Sequence, residues 1–164
     1  MTIRYVLGAV VALASTSALA NWNYAQWGQS PEQLIASADG SAAAVQAQEN
    51  QRIYNLDYLA RANTTWHGIP VEVRFHFTTD TKKLAAIKLT PTNDAQCDEM
   101  RAAALAEFGT GQIGQEMNES DYPNLHFTQN LDINWSDSAH GNRVKMFDVA
   151  ASDLHFCHVI YRPI

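Results

Sequence analysis

His155, Cys157 and His158 crowd into the stretch LHFCHVIY, residues 154–161. Two imidazoles and a thiol are the ligand types that zinc prefers, so a metal site is the first chemistry to weigh. Strand geometry argues against it. Residues two apart in a strand share a face, which places Leu154, Phe156, His158 and Ile160 on one side and His155, Cys157, Val159 and Tyr161 on the other. His158 therefore cannot join His155 and Cys157 around one ion without breaking the strand. A zinc site would also need ligand pairs spaced like Cys-x-x-Cys or His-x-x-x-His, and the sequence has neither. No metal is expected.

Asp132-x-Asn134-x-Ser136 begins like a calcium loop, yet the sixth position is Asp137 where glycine is needed and the twelfth is Arg143 where glutamate is needed. Leu131, Ile133 and Trp135 alternate with these polar residues as in a strand. No Gly-x-Ser-x-Gly elbow, His-Glu-x-x-His pair or phosphate-binding glycine loop is present. The reading is of a non-enzyme with no catalytic residues and no cofactor.

Cys157 has a different partner in view. The chain holds two cysteines, Cys97 and Cys157, and its first twenty residues read as an export signal. Arg4 gives the positive start, Tyr5 to Ala14 the apolar run, and Ala18-Leu19-Ala20 a small-x-small cleavage site. Cleavage after Ala20 would deliver residues 21–164 to the periplasm or the exterior as one compact domain. An even cysteine count there predicts a Cys97–Cys157 disulfide. The apolar run is too short to span a membrane, and no cysteine at the new N-terminus offers a lipid anchor. A net charge of −6 without a basic run offers no footprint for nucleic acid or anionic lipid.

The elements that position these residues follow from pattern. Ser30-Pro31-Glu32-Gln33 predicts a capped helix start, with Leu34, Ile35 and Ala38 as its apolar face and Gly40 as its stop. Residues 42–48, rich in alanine and glutamine, read weakly as a further helix. Val71, Val73, Phe75 and Phe77 alternate with Glu72, Arg74, His76 and Thr78, a half-buried strand. Its neighbours are predicted at 56–66 and 84–90. Asn93 caps a second helix carrying Cys97, Met100, Ala104, Leu105 and Phe108, ended by Gly109. Residues 110–124 read as a loop, and strands follow at 125–135, 144–149 and 154–161. The expected fold class is α+β: two tandem repeats of a helix followed by three antiparallel strands, halves 28–91 and 92–163, with the helices packed on one face of the sheet.

That plan resembles the tandem helix-plus-sheet repeat of secreted beta-lactamase-inhibitor-like proteins. More distantly it is similar to small outer-membrane-assembly lipoproteins whose helix opens with Gly-x-Thr/Ser-x-x-x-Val. Here the matching residues are Gly28, Ser30 and Leu34, and the lipid-attachment cysteine of the second family is missing.

If helices cover the apolar face, Glu72, Arg74 and His76 look outward, and Trp135 and Tyr161 supply the aromatic anchors that binding surfaces favour. These five residues are the candidate binding set. The expected function is a small exported binding protein, an inhibitor or immunity-type partner of another exported or envelope protein. An envelope-maintenance or small-ligand and lipid-binding module is the alternative, and an unrecognised hydrolase comes third.

Overall fold

The computed structural model describes residues 24–115, 117 and 119–164. The segment read as an export signal lies outside the described residues. Helix α1, Pro31–Ser37, begins as its sequence dictates. The Ser30 hydroxyl accepts from the Gln33 amide at 3.3 Å, and Gln33 Oε1 accepts from the Ser30 amide at 2.9 Å. Both otherwise orphaned N–H groups are satisfied, which stabilises the short helix by about 1 kcal/mol. Leu34 is its fully buried side chain.

The chain continues as β1 (Ala42–Ala44), β2 (Asp57–Trp66), β3 (Ile69–Phe77), β4 (Leu84–Pro91), α2 (Cys97–Phe108), β5 (Gln112–Gly114), β6 (Phe127–Asp137), β7 (Asn142–Ala151) and β8 (Leu154–Pro163). The strands form one antiparallel sheet in the order β1-β2-β3-β4-β8-β7-β6-β5. Each helix is thus followed by four strands, and the described residues form mainly antiparallel sheet with two short α-helices. The expectation of two helix-plus-three-strand repeats is wrong.

Two local misreadings produced that error. Residues 42–48 do not form a helix, because Ala42 and Ala44 pair with Ala62 and Ala60 of β2. Unlike Pro31–Ser37, this run has no capping box to start a helix, whereas an existing strand edge offers it backbone hydrogen bonds at once. Within 110–124, read as loop, β5 pairs Gln112 with Asn134 and Gly114 with Asp132. Three exposed residues carry too little pattern to show in sequence.

The longer strands follow their alternation. Trp66 pairs with Ile69 across the two-residue turn His67-Gly68, where both φ values are positive (50° and 86°). That geometry fits a tight hairpin turn and explains the glycine. One face of the sheet is the core: Val73, Phe75, Ile87, Leu89, Val159, Tyr161, Val144, Met146, Ile133 and Trp135 are all buried. Each large aliphatic or phenyl side chain buried there contributes about 1.5–3 kcal/mol.

Helix α2 lies on this face. The Asn93 side chain accepts from the Ala95 amide at 3.0 Å to start a lead-in turn, and Gly109 (φ 81°) ends the helix. Cys97, Met100 and Ala104 form its buried stripe at helical spacing. Cys97 and Cys157 lie at disulfide distance, with Cα atoms 5.6 Å apart, which pins the helix to β8. Among the described residues no helix is long and apolar enough to cross a membrane.

Candidate binding face

The first question at this disulfide is metal. Ligand atoms of Cys97, Asp148 and His155 lie within 4.8 Å of one another, but the sulfur is committed to Cys157. Asp148, wholly buried, accepts from Arg101 and from Gln129 (3.1 Å) and pairs with His155 Nε2 at 2.8 Å. A buried carboxylate needs such partners to satisfy its oxygens. The group is a clamp that holds α2 against β7 and β8.

The opposite face of the sheet is more informative, since among the described residues no helix lies on it and only the 53–56 segment crosses part of it. Register sets its content row by row. Arg61 on β2 stands opposite Arg74 on β3, which stands opposite Lys88 on β4; Lys88 pairs with Ile160 on β8, and Ile160 with Lys145 on β7. At about 4.8 Å per strand, this row spans roughly 19 Å. In the adjoining row Arg143 stands opposite Arg162. Strand alternation therefore gathers six of the eleven lysines and arginines on one face.

Carboxylates on these strands compensate only in part. Glu72 accepts from Arg74 on its own strand, and Lys145 Nζ lies 3.1 Å from Asp132. Arg61 and Lys88 have no ion pair or hydrogen bond to a described side chain. Lys88 is half-buried, and desolvation first, then the Arg74 charge, lower its pKa from the ordinary lysine value, against a raising effect of Glu72.

Two histidines flank this row. His76 is 1 % exposed, its ring 5.6 Å from that of Tyr58 on the paired position of β2. Neither ring nitrogen has a hydrogen-bond partner. The Leu56 backbone favours the protonated ring without reaching full hydrogen-bonding geometry, and burial, with Lys88 and Arg74, prevails and lowers the pKa to about 4. His158 stacks on Phe147 with centroids 4.8 Å apart and planes 12° apart, and Phe147 meets Phe156 at 5.4 Å. Burial, then Lys88 and Lys145, lower His158 to about 3. Both rings are neutral at pH 7, so the positive charge of the face comes from lysine and arginine alone.

The five residues chosen from sequence divide between the two faces. Glu72 and Arg74 lie on the uncovered one, and His76 lies there too but beneath Tyr58 and the 53–56 segment, where Tyr54 sits under the Arg162 guanidinium. Trp135 and Tyr161 belong to the core face instead, 8 % and 1 % exposed. Trp135 donates to the Gly109 carbonyl at 2.8 Å and packs on Phe108, while burial raises the Tyr161 phenol above its ordinary pKa. Tyr161 shares its strand parity with Cys157, so it had to lie under α2. Lys88, Lys145, Arg61 and the Phe147–His158 pair were missed, although alternation alone puts Lys88 and Lys145 on the polar side of their strands.

Comparison of the chain with protein-family models, curated proteins and solved structures returns no match. The resemblance to the inhibitor-like repeat proteins rests on the expected element order, and that to the small lipoproteins on Gly28, Ser30 and Leu34.

Proposed function

We propose that this chain is an exported binding protein that holds an acidic surface of another exported protein against the uncovered face of its sheet. One observation carries the reading: six cations are gathered on a helix-free face of a chain whose net charge is −6. Such segregation creates a local field opposite in sign to the whole molecule, which steers an acidic partner to one orientation. The Phe147–His158–Phe156 cluster beside the row adds the flat apolar contact from which binding energy chiefly comes. Export is supported by the signal-like 1–20 segment and by the cysteine pair at disulfide distance.

The test is capture from an exported-protein fraction by the chain and by an Arg61→Glu/Lys88→Glu variant of it. An acidic protein retained by the first, released by salt and absent from the second supports the reading. Identical capture by both sinks it, and so does capture of nucleic acid in place of protein.

A further inference from the structure

Towards β5 the uncovered face opens into a cleft of about 610 Å³. Gln112, Asn134 and Ser136 line it from β5 and β6, and Arg143 from β7. Its wall is the loop between α2 and β5, held flush by the Trp135 indole, which donates to Gly109 at 2.8 Å. Gly111 (φ +62°) passes so close that a Cβ there would lie 2.5 Å from Trp135 Nε1. Only glycine permits this approach, and it makes the wall fixed backbone, so the cleft exists before any ligand arrives.

Phe108 and the Trp135 indole line its apolar side, and its polar side is a single cation among neutral donors and acceptors. Arg143 is exposed and has no ion pair or hydrogen bond to a described side chain, and Gln112 is equally free. Asn134 spends its amide nitrogen on Asp132 (2.5 Å), which leaves its carbonyl oxygen. Ser136 meets Ser138 through hydroxyls 3.3 Å apart. A guanidinium matches a carboxylate with paired hydrogen bonds, and amides with a hydroxyl match a set of vicinal hydroxyls. The volume falls within the range of about 300–1,000 Å³ that small-molecule sites occupy, far more than one acidic side chain fills.

We propose that this cleft binds an acidic saccharide, its carboxylate on Arg143 and its hydroxyls on Gln112, Asn134 and Ser136. The site adjoins the protein-binding row at its β7 end, where Lys145 lies two residues from Arg143, and is three strands from the row's centre at Lys88.

The experiment is an NMR titration of the protein with trigalacturonate and, in parallel, with the uncharged maltotriose. The Gly111 amide and the Trp135 indole N–H report on the cleft, and the amides of β3 report on the cation row. Trigalacturonate is expected to shift the first pair, with maltotriose roughly tenfold weaker. Arg143→Met should remove that difference, Gln112→Ala should weaken both sugars, and Lys88→Glu should leave the cleft resonances responsive. Arg143 is exposed, so a preserved β3 spectrum verifies that its variant folds. Equal binding of the two sugars overturns the proposal. Shifts confined to β3 and β4, or none up to on the order of 50 mM ligand, overturn it too.

Discussion

Arg74 on β3 and Lys88 on β4 stand directly opposite each other, and Arg61 faces Arg74 from the other side. Like charges so placed destabilise a sheet, by roughly 0.2–1 kcal/mol per pair. Glu72 offsets part of this through its bond to Arg74. Desolvation and the same repulsion from Arg74 lower the pKa of half-buried Lys88. Stability alone would not place three cations in one row.

Lys88→Thr should therefore stabilise the fold by about 0.5–1 kcal/mol, since threonine suits a strand and relieves the repulsion. The same change should weaken binding of an acidic peptide. Urea denaturation and a peptide titration check the two halves together. A variant that is less stable and binds equally well would remove the functional reason for the row.

Histidine burial sets a pH window. His76 titrates near 4 in the folded chain against 6.5 as a free side chain. Its folded value is depressed, so the stability it contributes is fully present above 6.5 and is lost as pH falls towards 4. For this fully buried ring the loss is roughly 3 kcal/mol. His158 acts in the same direction from 6.5 downwards. Asp57 is different: Lys82 first, against desolvation, and then Arg52 lower its pKa, so its contribution fades only below the ordinary carboxylate range. The melting temperature should fall between pH 6.5 and 4, and His76→Leu should flatten about half of that slope, His158 supplying the rest. An unchanged slope in the variant would show that His76 is not the group responsible.

The cysteine pair closes a loop of sequence separation 60. Chain entropy assigns such a closure roughly 4 kcal/mol, so reduction should lower the melting temperature markedly. Denatured, unreduced protein should titrate no free thiol, and a zinc chelator should leave melting unchanged. Two free thiols would falsify the bridge.

Asp148 is the most consequential buried charge. Asp148→Ala leaves Arg101 with Asp98 alone and removes the acceptor for Gln129 and the partner of His155. The expected loss is about 1.5–3 kcal/mol. Hydrogen exchange should show it first as faster opening of α2, with β2 and β3 little changed. Uniform acceleration throughout would mean that the clamp does not act on the helix specifically.

Much of the sheet was legible because its strands are long and alternate cleanly, and α1 because Ser30 and Gln33 cap each other. The three-residue strands β1 and β5 were not, since pairing to a neighbour rather than intrinsic pattern makes them strands. The candidate site was legible within each strand and hidden between strands. Alternation places Arg74 and Lys88 on polar faces, but only register aligns them with Arg61 and Lys145. That is also why the acidic composition concealed a basic surface. Trp135 and Tyr161 were misplaced by giving residue type more weight than parity.

The most direct measurement is an NMR titration of the chain with an aspartate-rich peptide at low and at high salt. The expected result is a set of amide shifts centred on Arg74, Lys88, Ile160 and Lys145, reduced by salt screening and abolished in Arg61→Glu/Lys88→Glu. Shifts confined to α1 and α2, or equal shifts in the variant, would contradict a binding face built on the cation row.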